Sequence, residues 1–147
     1  SDLDLGELLR ERIAWLKPQS DAAEMVFSLH VDGTCLCHAD PLRLGQVFII
    51  IMENALRYAA EGRAMSIAVQ GDKQQCRAVF CDKGPGVPAE FLPLMFERFT
   101  RADTSRARHS GGSGLGLSIV KRIAALHGMR VSLGNAHEGG FEVKVSW

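Results

Sequence analysis

The sequence predicts an α+β fold: a two-layer α/β sandwich in which three long helices cover one face of a mixed, mostly antiparallel sheet. Short runs with strand periodicity occur in adjacent pairs, helical segments alternate with these pairs, and one helical segment is apolar on nearly all sides. The chain has 147 residues, zero formal net charge and 46% hydrophobic residues. These values predict one soluble domain over residues 1–147 with a single core.

The N-terminal part of the chain predicts one helix and two strands. The helix should run from about Leu5 to Ala23, and Pro18 should bend it or end its regular part, because proline has no amide hydrogen to donate. A strand is predicted near Met25–Val31 and a short strand near Cys35–His38.

The helix predicted from about Asp40 to Ala60 has the strongest pattern. Asp40 is a suitable N-cap and Pro41 a suitable first helical residue, since the first turn leaves its amides unpaired by the helix itself. Residues 47–52 read VFIIIM. An apolar run of this length faces all sides of a helix, so this helix should be buried on most sides.

The second half of the chain predicts two strand pairs and one long helix. The elements are strands at Ala64–Gln70 and Gln75–Cys81, a short helix near Glu90–Leu94, a glycine-opened helix ending near His127, and strands at Arg130–Gly134 and Phe141–Trp147. Residues 71–74 should join the first strand pair as a hairpin, and Gly128 should stop the long helix.

The cysteines and histidines show no metal-binding pattern. Cys35, Cys37, Cys76 and Cys81 lack paired C-x-x-C spacing, and the five histidines lack helical ligand spacing. We therefore expect the cysteines to be buried, reduced thiols.

A glycine-rich run, Gly111–Leu117, leads directly into the last predicted helix. Glycines let a backbone approach a ligand closely, and the unpaired amides of a helix N-terminus favour an anion. A P-loop would need lysine where Leu117 stands, and residues 101–110 lack the strand that precedes a dinucleotide fingerprint. The run predicts another kind of phosphate site, with a plain connector as the alternative.

Asp82 stands where a predicted strand meets the turn Gly84-Pro85-Gly86. A buried carboxylate without a donor is costly, so Asp82 should be half exposed, cap an amide of the turn, or accept from a ligand's amino group. Turn stabilisation alone is the simpler interpretation, because aspartate before Gly-Pro-Gly is ordinary turn chemistry.

Polar residues follow the apolar part of the long helix. Asn54, Arg57 and Tyr58 share one helix face by their spacing. An amide oxygen could hold a metal ion there while a guanidinium contacts phosphate oxygens. A solvated helix end is the alternative.

Together and in this order, these elements resemble the catalytic ATP-binding domain of bacterial sensor histidine kinases, within the superfamily that includes gyrase, Hsp90 and MutL. Residues 54–59 are similar to the asparagine box, 82–86 to the first glycine box, 96–99 to the phenylalanine box and 112–117 to the second glycine box. The resemblance covers essentially the whole chain. It implies the Bergerat ATP-binding fold, with ATP and Mg²⁺ as ligands.

The resemblance also implies a role for each motif residue. Asp82 should accept from the adenine amino group, with Gly84 and Gly86 leaving room for the base, and Asn54 should hold magnesium, assisted by Glu53 only if that side chain turns toward the ion. The other expected nucleotide contacts are Arg57, Tyr58, Gly112, Ser113, Gly114, Leu115, Gly116 and Leu117, with Arg101 and Arg106 in a lid loop at about 100–112. The expected catalytic groups are Asn54, Arg57, Arg101 and Arg106.

Ile50 departs from the pattern of the family. One helical turn before Asn54, these kinases usually carry another asparagine, whereas gyrase-type ATPases carry a glutamate that activates water. Isoleucine cannot accept a proton from water, which weighs against the ATPase alternative. The same departure keeps open a nucleotide-binding regulatory module with weak transfer.

The sequence contains no phosphoacceptor segment. No histidine is followed by the acidic residue and the downstream threonine or proline of such a segment. The resemblance therefore implies transfer of the γ-phosphoryl group to a histidine on a separate dimerisation domain, absent from this chain, and signalling to a cognate response regulator. We expect this chain alone to be monomeric and to bind ATP without phosphorylating itself. It should be the cytoplasmic part of a homodimeric inner-membrane sensor, and its zero net charge argues against a nucleic acid partner.

Overall fold

A computed structural model describes residues 2–71, 75–86, 88, 90, 116–136 and 139–147. The helices are α1 (Leu5–Trp15), α2 (Lys17–Ala22), α3 (Pro41–Tyr58) and α4 (Gly116–Leu126). The strands are β1 (Asp2–Asp4), β2 (Val26–Asp32), β3 (Leu36–His38), β4 (Ala64–Gly71), β5 (Cys76–Asp82), β6 (Arg130–Asn135) and β7 (Phe141–Ser146). The predicted short helix beyond Glu90 and the predicted lid lie outside the described residues.

Within the described ranges, five strands form one mixed sheet in the order β2-β4-β5-β7-β6. The pair β2–β4 is parallel, and the other pairs are antiparallel. A small antiparallel pair, β1–β3, stands apart from this sheet. The predicted fold class, a mixed and mostly antiparallel sheet combined with helices, is confirmed.

The core lies between the helices and one face of the sheet. Alternate residues of β5 and β7 are buried, which is the pattern of strands covered on one side. α3 packs between α1 and α4. The ring of Phe48 on α3 lies 5.6 Å from the ring of Phe80 on β5, centroid to centroid. The two-layer arrangement therefore places α3 directly over the central strand.

Local sequence signals account for where the helices begin and end. Asp40 Oδ1 accepts a hydrogen bond from the Leu42 amide at 2.9 Å, which caps α3 as predicted. The predicted first helix is divided: α1 ends at Trp15, and Pro18 lies in the first turn of α2, where its missing amide hydrogen does no harm. Gly128 follows α4 with a φ of 67°, as expected for a C-terminal stop.

The prediction of four reduced thiols is wrong for two of them. Cys35 and Cys76 form a disulfide with a Cα–Cα distance of 5.6 Å across a sequence separation of 41 residues. Cys37, which is buried, and Cys81, which is partly buried, do not form disulfides. Cys35 lies just before β3 and Cys76 begins β5, so the pairing depends on tertiary contacts that cysteine spacing does not reveal.

The described helices include none that is long and apolar enough to span a lipid bilayer.

Candidate functional site

Asp82 is the last residue of β5 and its side chain is only 3% exposed. Its Oδ1 atom accepts hydrogen bonds from the backbone amides of Gly84 and Phe141, each at 3.0 Å. These two donors come from opposite sides of the strand end, one from the following turn and one from the start of β7. Both compensate the carboxylate for its loss of water.

The second carboxylate oxygen of Asp82 has a different environment. Oδ2 receives no hydrogen bond within the described part of the chain. Within the described ranges, Oδ1 alone therefore connects the turn and the start of β7.

The turn after Asp82 is pressed against the C-terminal end of α3. A Cβ atom added to Gly84 would lie 2.6 Å from the Cβ of Ala59, the residue that caps α3. On the other side of this contact, a Cβ on Gly62 would collide with the carbonyl oxygen of Lys83. Only glycines allow this approach, and it brings the turn next to the helix end that carries Asn54, Arg57 and Tyr58.

The connection between β6 and β7 supports the same turn. Gly86 has a φ of 77°, and a Cβ there would lie 2.7 Å from Asn135 Oδ1. Gly140 has a φ of 92° and packs directly on the carbonyl oxygen of Asp82. Asn135, Gly140 and the Phe141 amide were not predicted from the sequence. The adjacent glycines 139 and 140 before a strand were the available signal.

The polar end of α3 has the arrangement that its spacing predicts. Asn54 is partly buried, whereas Arg57 and Tyr58 on the same face are exposed. Glu53 is exposed as well. Asn54 is thus the more enclosed of these polar side chains, with a cation one turn further along the helix.

The first turn of α4 lies against α3, one turn before Asn54. A Cβ atom on Gly116 would lie 3.2 Å from the Ile50 Cγ2 atom, and Leu117 is buried. The N-terminal end of α4 is therefore close to the polar end of α3. The other predicted phosphate-side residues, Arg101, Arg106, Gly112, Ser113, Gly114 and Leu115, lie outside the described residues.

These contacts bring three distant segments of the sequence together around the C-terminal half of α3. The Asp82 turn packs against the C-terminal end of α3, and the first residue of α4 packs against the middle of α3. One part of the site thus offers a hydrogen-bond acceptor, and another offers a helix N-terminus beside a guanidinium. This arrangement suits an elongated ligand with a donor group at one end and negative charge at the other.

The profile of the family described as "Histidine kinase-, DNA gyrase B-, and HSP90-like ATPase" matches residues 39–147. The chain belongs to this ATPase family. The match includes α3, the Asp82 turn and α4, the segments that form the candidate site. The resemblance on which the sequence analysis relied is confirmed, and with it an ATP-binding domain.

Within this ATPase family, the chain is most clearly similar to sensor histidine kinases. The Escherichia coli K12 sensor protein QseC is 47% identical over 148 residues, which are 100% of this chain and 31% of that protein. The E. coli K12 histidine-protein kinase BaeS is 37% identical over 140 residues, 95% of this chain and 28% of that protein. The chain therefore spans about a third of the length of these relatives, and it corresponds to their catalytic ATP-binding domain.

A solved structure has the same fold over nearly the whole chain. Full-length ShkA in complex with AMPPNP has a TM-score of 0.82 and 27% identity over 99% of this chain and 30% of ShkA. This similarity confirms the two-layer fold that the sequence predicts. It extends over nearly the whole chain, so it includes all the described elements that form the site.

Proposed function

We propose that this domain transfers the γ-phosphoryl group of Mg-ATP to a histidine on a separate dimerisation domain, as the catalytic part of a two-component sensor kinase. The observation that supports this most directly is the hydrogen bonding of the Asp82 carboxylate, in which the two oxygens differ. Oδ1 accepts hydrogen bonds from two backbone amides, and Oδ2 receives none from the described residues. A carboxylate held in this way is a preorganised acceptor for the amino group of a purine.

The base side of the proposed site is rigid. Asp82 lies at the end of β5, which is hydrogen-bonded on both sides by β4 and β7. Gly84 and Gly86 allow the turn to pack closely, so that the base meets backbone rather than side chains. Tyr58, 37% exposed at the end of α3, can cover the nucleoside.

The phosphate side of the proposed site combines α3, α4 and the loop before α4. Asn54 is suited to hold magnesium, since this ion commonly takes few protein ligands and completes its shell with water and phosphate oxygens. The ion, when bound, neutralises charge on the triphosphate. Among the described residues no cluster of three or more histidine, cysteine, aspartate or glutamate side chains could hold a metal instead. Arg57 should contact phosphate oxygens, and the exposed Glu53 assists only by turning inward.

The residues before α4 complete the proposed phosphate contacts. The amides of Gly112, Ser113, Gly114, Leu115, Gly116 and Leu117 should bind phosphate oxygens, and Arg101 and Arg106 should close over them as parts of a lid at about 100–112. Developing charge in an in-line transfer would be spread over these donors. The transfer itself is then mainly a matter of positioning and electrostatics.

We extend the proposal to the whole protein. QseC and BaeS, named as a sensor protein and a signal-transduction kinase, are about three times as long as the aligned region. The single domain at 1–147 should therefore work with a histidine-bearing dimerisation domain of the same kinase and with a response regulator. We expect the full protein to be a homodimer with this domain on the cytoplasmic side of the inner membrane, and this chain alone to be a monomer.

Calorimetry with Asp82→Asn tests the nucleotide site. The asparagine oxygen can still accept the amides of Gly84 and Phe141, while its NH₂ group meets the purine amino group with a second donor. Mg-ATP affinity should fall by about 100-fold, and the melting temperature without ligand should change little. Asp32→Asn, at the exposed end of β2, is the matched control. Equal Mg-ATP affinity in Asp82→Asn and the unmodified chain would contradict the proposal.

A second experiment tests the reaction. The chain is incubated with γ-labelled ATP, alone and with a separately produced dimerisation domain that carries an acceptor histidine. Label should appear on the added domain and not on the chain alone. Steady phosphate release by the isolated chain would indicate an ATPase, and tight ATP binding without label transfer would indicate a regulatory module.

A further inference from the structure

Ile50 lies at the crossing of α3 and α4, between two parts of the nucleotide site. It precedes Asn54 by four residues on α3, so the two side chains lie on one face, one turn apart. It is partly buried and packs against the core. Its Cγ2 atom is the neighbouring heavy atom that a Cβ on Gly116 would meet, at 3.2 Å.

The side chain of Ile50 leaves little room for a side chain at position 116 on α4. Gly116 is the first residue of α4 and has no Cβ atom. A Cβ added there would lie 3.2 Å from Ile50 Cγ2, closer than an ordinary carbon–carbon contact. Isoleucine is branched at Cβ and has one strongly preferred χ1 rotamer in a helix, so its Cγ2 atom is a stiff spacer. Leu117 and Val120, both buried, hold α4 against this spacer.

We propose that Ile50 is a positioning residue: its Cγ2 methyl group sets the distance between Asn54 and the first amides of α4. The proposal rests on the proposed nucleotide-binding function of this site. The proposal therefore assigns the binding of the two ends of the nucleotide to different residues. Ile50 controls the binding of the phosphate groups, whereas the purine depends on Asp82, whose two amide donors belong to Gly84 and Phe141.

The first test compares ligands with and without phosphate. In Ile50→Ala the first turn of α4 loses its spacer, so affinity for Mg-ATP should fall by about tenfold, the effect of losing one amide-to-phosphate hydrogen bond. Affinity for adenosine should stay within about twofold, because the Asp82 turn is unchanged. Ile50→Val keeps the Cγ2 position and should bind both ligands as the unmodified chain does.

Ile49→Ala is the matched control. Ile49 is also partly buried and packed against the core, but it points about 100° away around the helix. This variant loses the same atoms from the same helix and should leave the ratio of ATP to adenosine affinity unchanged. Melting temperatures of all variants show whether each one is folded.

A double-mutant cycle tests the contact itself. Gly116→Ala places a methyl group against Ile50 Cγ2 and should weaken Mg-ATP binding several-fold. In the Ile50→Ala background that methyl group has room, so adding Gly116→Ala should change the affinity by less than about twofold.

Two different results would overturn the inference. One is an equal loss of ATP and adenosine affinity in Ile50→Ala, and the other is an additive cycle with Gly116→Ala. Either result would leave the nucleotide site itself intact. If the unmodified chain binds neither ATP nor adenosine, the proposed function has failed instead.

Discussion

The Asp82 carboxylate has a structural role and, in the proposed function, a ligand-binding role as well. Oδ1 satisfies two backbone amides, and Oδ2 receives no hydrogen bond from the described residues. Substitutions that keep an acceptor at the Oδ1 position should therefore preserve the fold, and those that remove it should not. The two roles can be separated by comparing asparagine with alanine.

Asp82→Ala should lower the free energy of unfolding by about 1–3 kcal/mol, because it leaves the buried amide of Phe141 and the part-buried amide of Gly84 without an acceptor. Asp82→Asn should lower it by less than about 1 kcal/mol, since its amide oxygen replaces Oδ1. Urea denaturation of both variants measures the difference. Equal stability of the two variants would show that Oδ1 does not hold the turn.

Gly140→Ala should destabilise the domain and weaken ATP binding. The new Cβ would collide with the Asp82 carbonyl oxygen, and a φ of 92° is unfavourable for alanine. Gly139→Ala is the control, because Gly139 has a similar φ of 101° but nothing within 4 Å of the added atom. Thermal denaturation should give a larger loss for Gly140→Ala. Similar losses in both variants would mean that backbone strain, and not the contact with Asp82, is responsible.

At the scale of elements, α3 connects every described part of the candidate site. Its cap at Asp40 sets where the helix begins, and its C-terminal end packs on the Asp82 turn. The middle of the helix packs on α4. A change at the N-terminal end of α3 should therefore affect stability without touching the nucleotide contacts.

Asp40→Ala tests the helix cap. Loss of the hydrogen bond from the Leu42 amide should lower the free energy of unfolding by about 1 kcal/mol. ATP affinity should remain unchanged, because Asp40 lies at the opposite end of α3 from Asn54. Asp32→Ala, an exposed acidic residue outside any cap, should have almost no effect on urea denaturation. A loss of ATP affinity in Asp40→Ala would contradict this separation of roles.

The sequence predicted these elements well where local chemistry determines them. The Asp40 cap, the apolar run of α3 and the stop at Gly128 are all read from neighbouring residues, and each occurs where it was expected. Features that depend on distant residues were missed. The Cys35–Cys76 disulfide and the hydrogen bond from the Phe141 amide join segments 41 and 59 residues apart. No local pattern encodes such a pairing.

The candidate site also shows the difference between features that neighbouring residues determine and features that depend on distant residues. The motif at 82–86 identified Asp82, but it left open whether the carboxylate serves the turn or a ligand. The fold shows that Oδ1 holds the turn, and ligand binding by Oδ2 stays a prediction. The roles of Asn54, Arg57 and the glycine-rich run remain predictions.

At the scale of the whole molecule, the proposed ligand would contact both layers of the sandwich. Asp82 belongs to the sheet, and Asn54 and Gly116 belong to the helical layer. A ligand that binds only this folded arrangement stabilises the entire domain by mass action. Thermal denaturation of the whole chain is therefore a direct measure of the site.

Mg-ATP at about a hundredfold excess over its dissociation constant should stabilise the domain by about 2.7 kcal/mol and raise its melting temperature. Mg-GTP at the same concentration should raise it much less, because guanine carries an oxygen acceptor where Asp82 requires a donor. Differential scanning fluorimetry compares the two nucleotides. Equal shifts would indicate binding through phosphate alone.

Two backbone protons that converge on a single carboxylate oxygen also provide a spectroscopic probe. The amide resonances of Gly84 and Phe141 should respond to any change in the charge density of that oxygen, because both protons are hydrogen-bonded to it. Binding of a purine at Oδ2 would then be visible in ¹⁵N-labelled protein. The amides of two residues that are far apart in the chain would change their chemical shifts together.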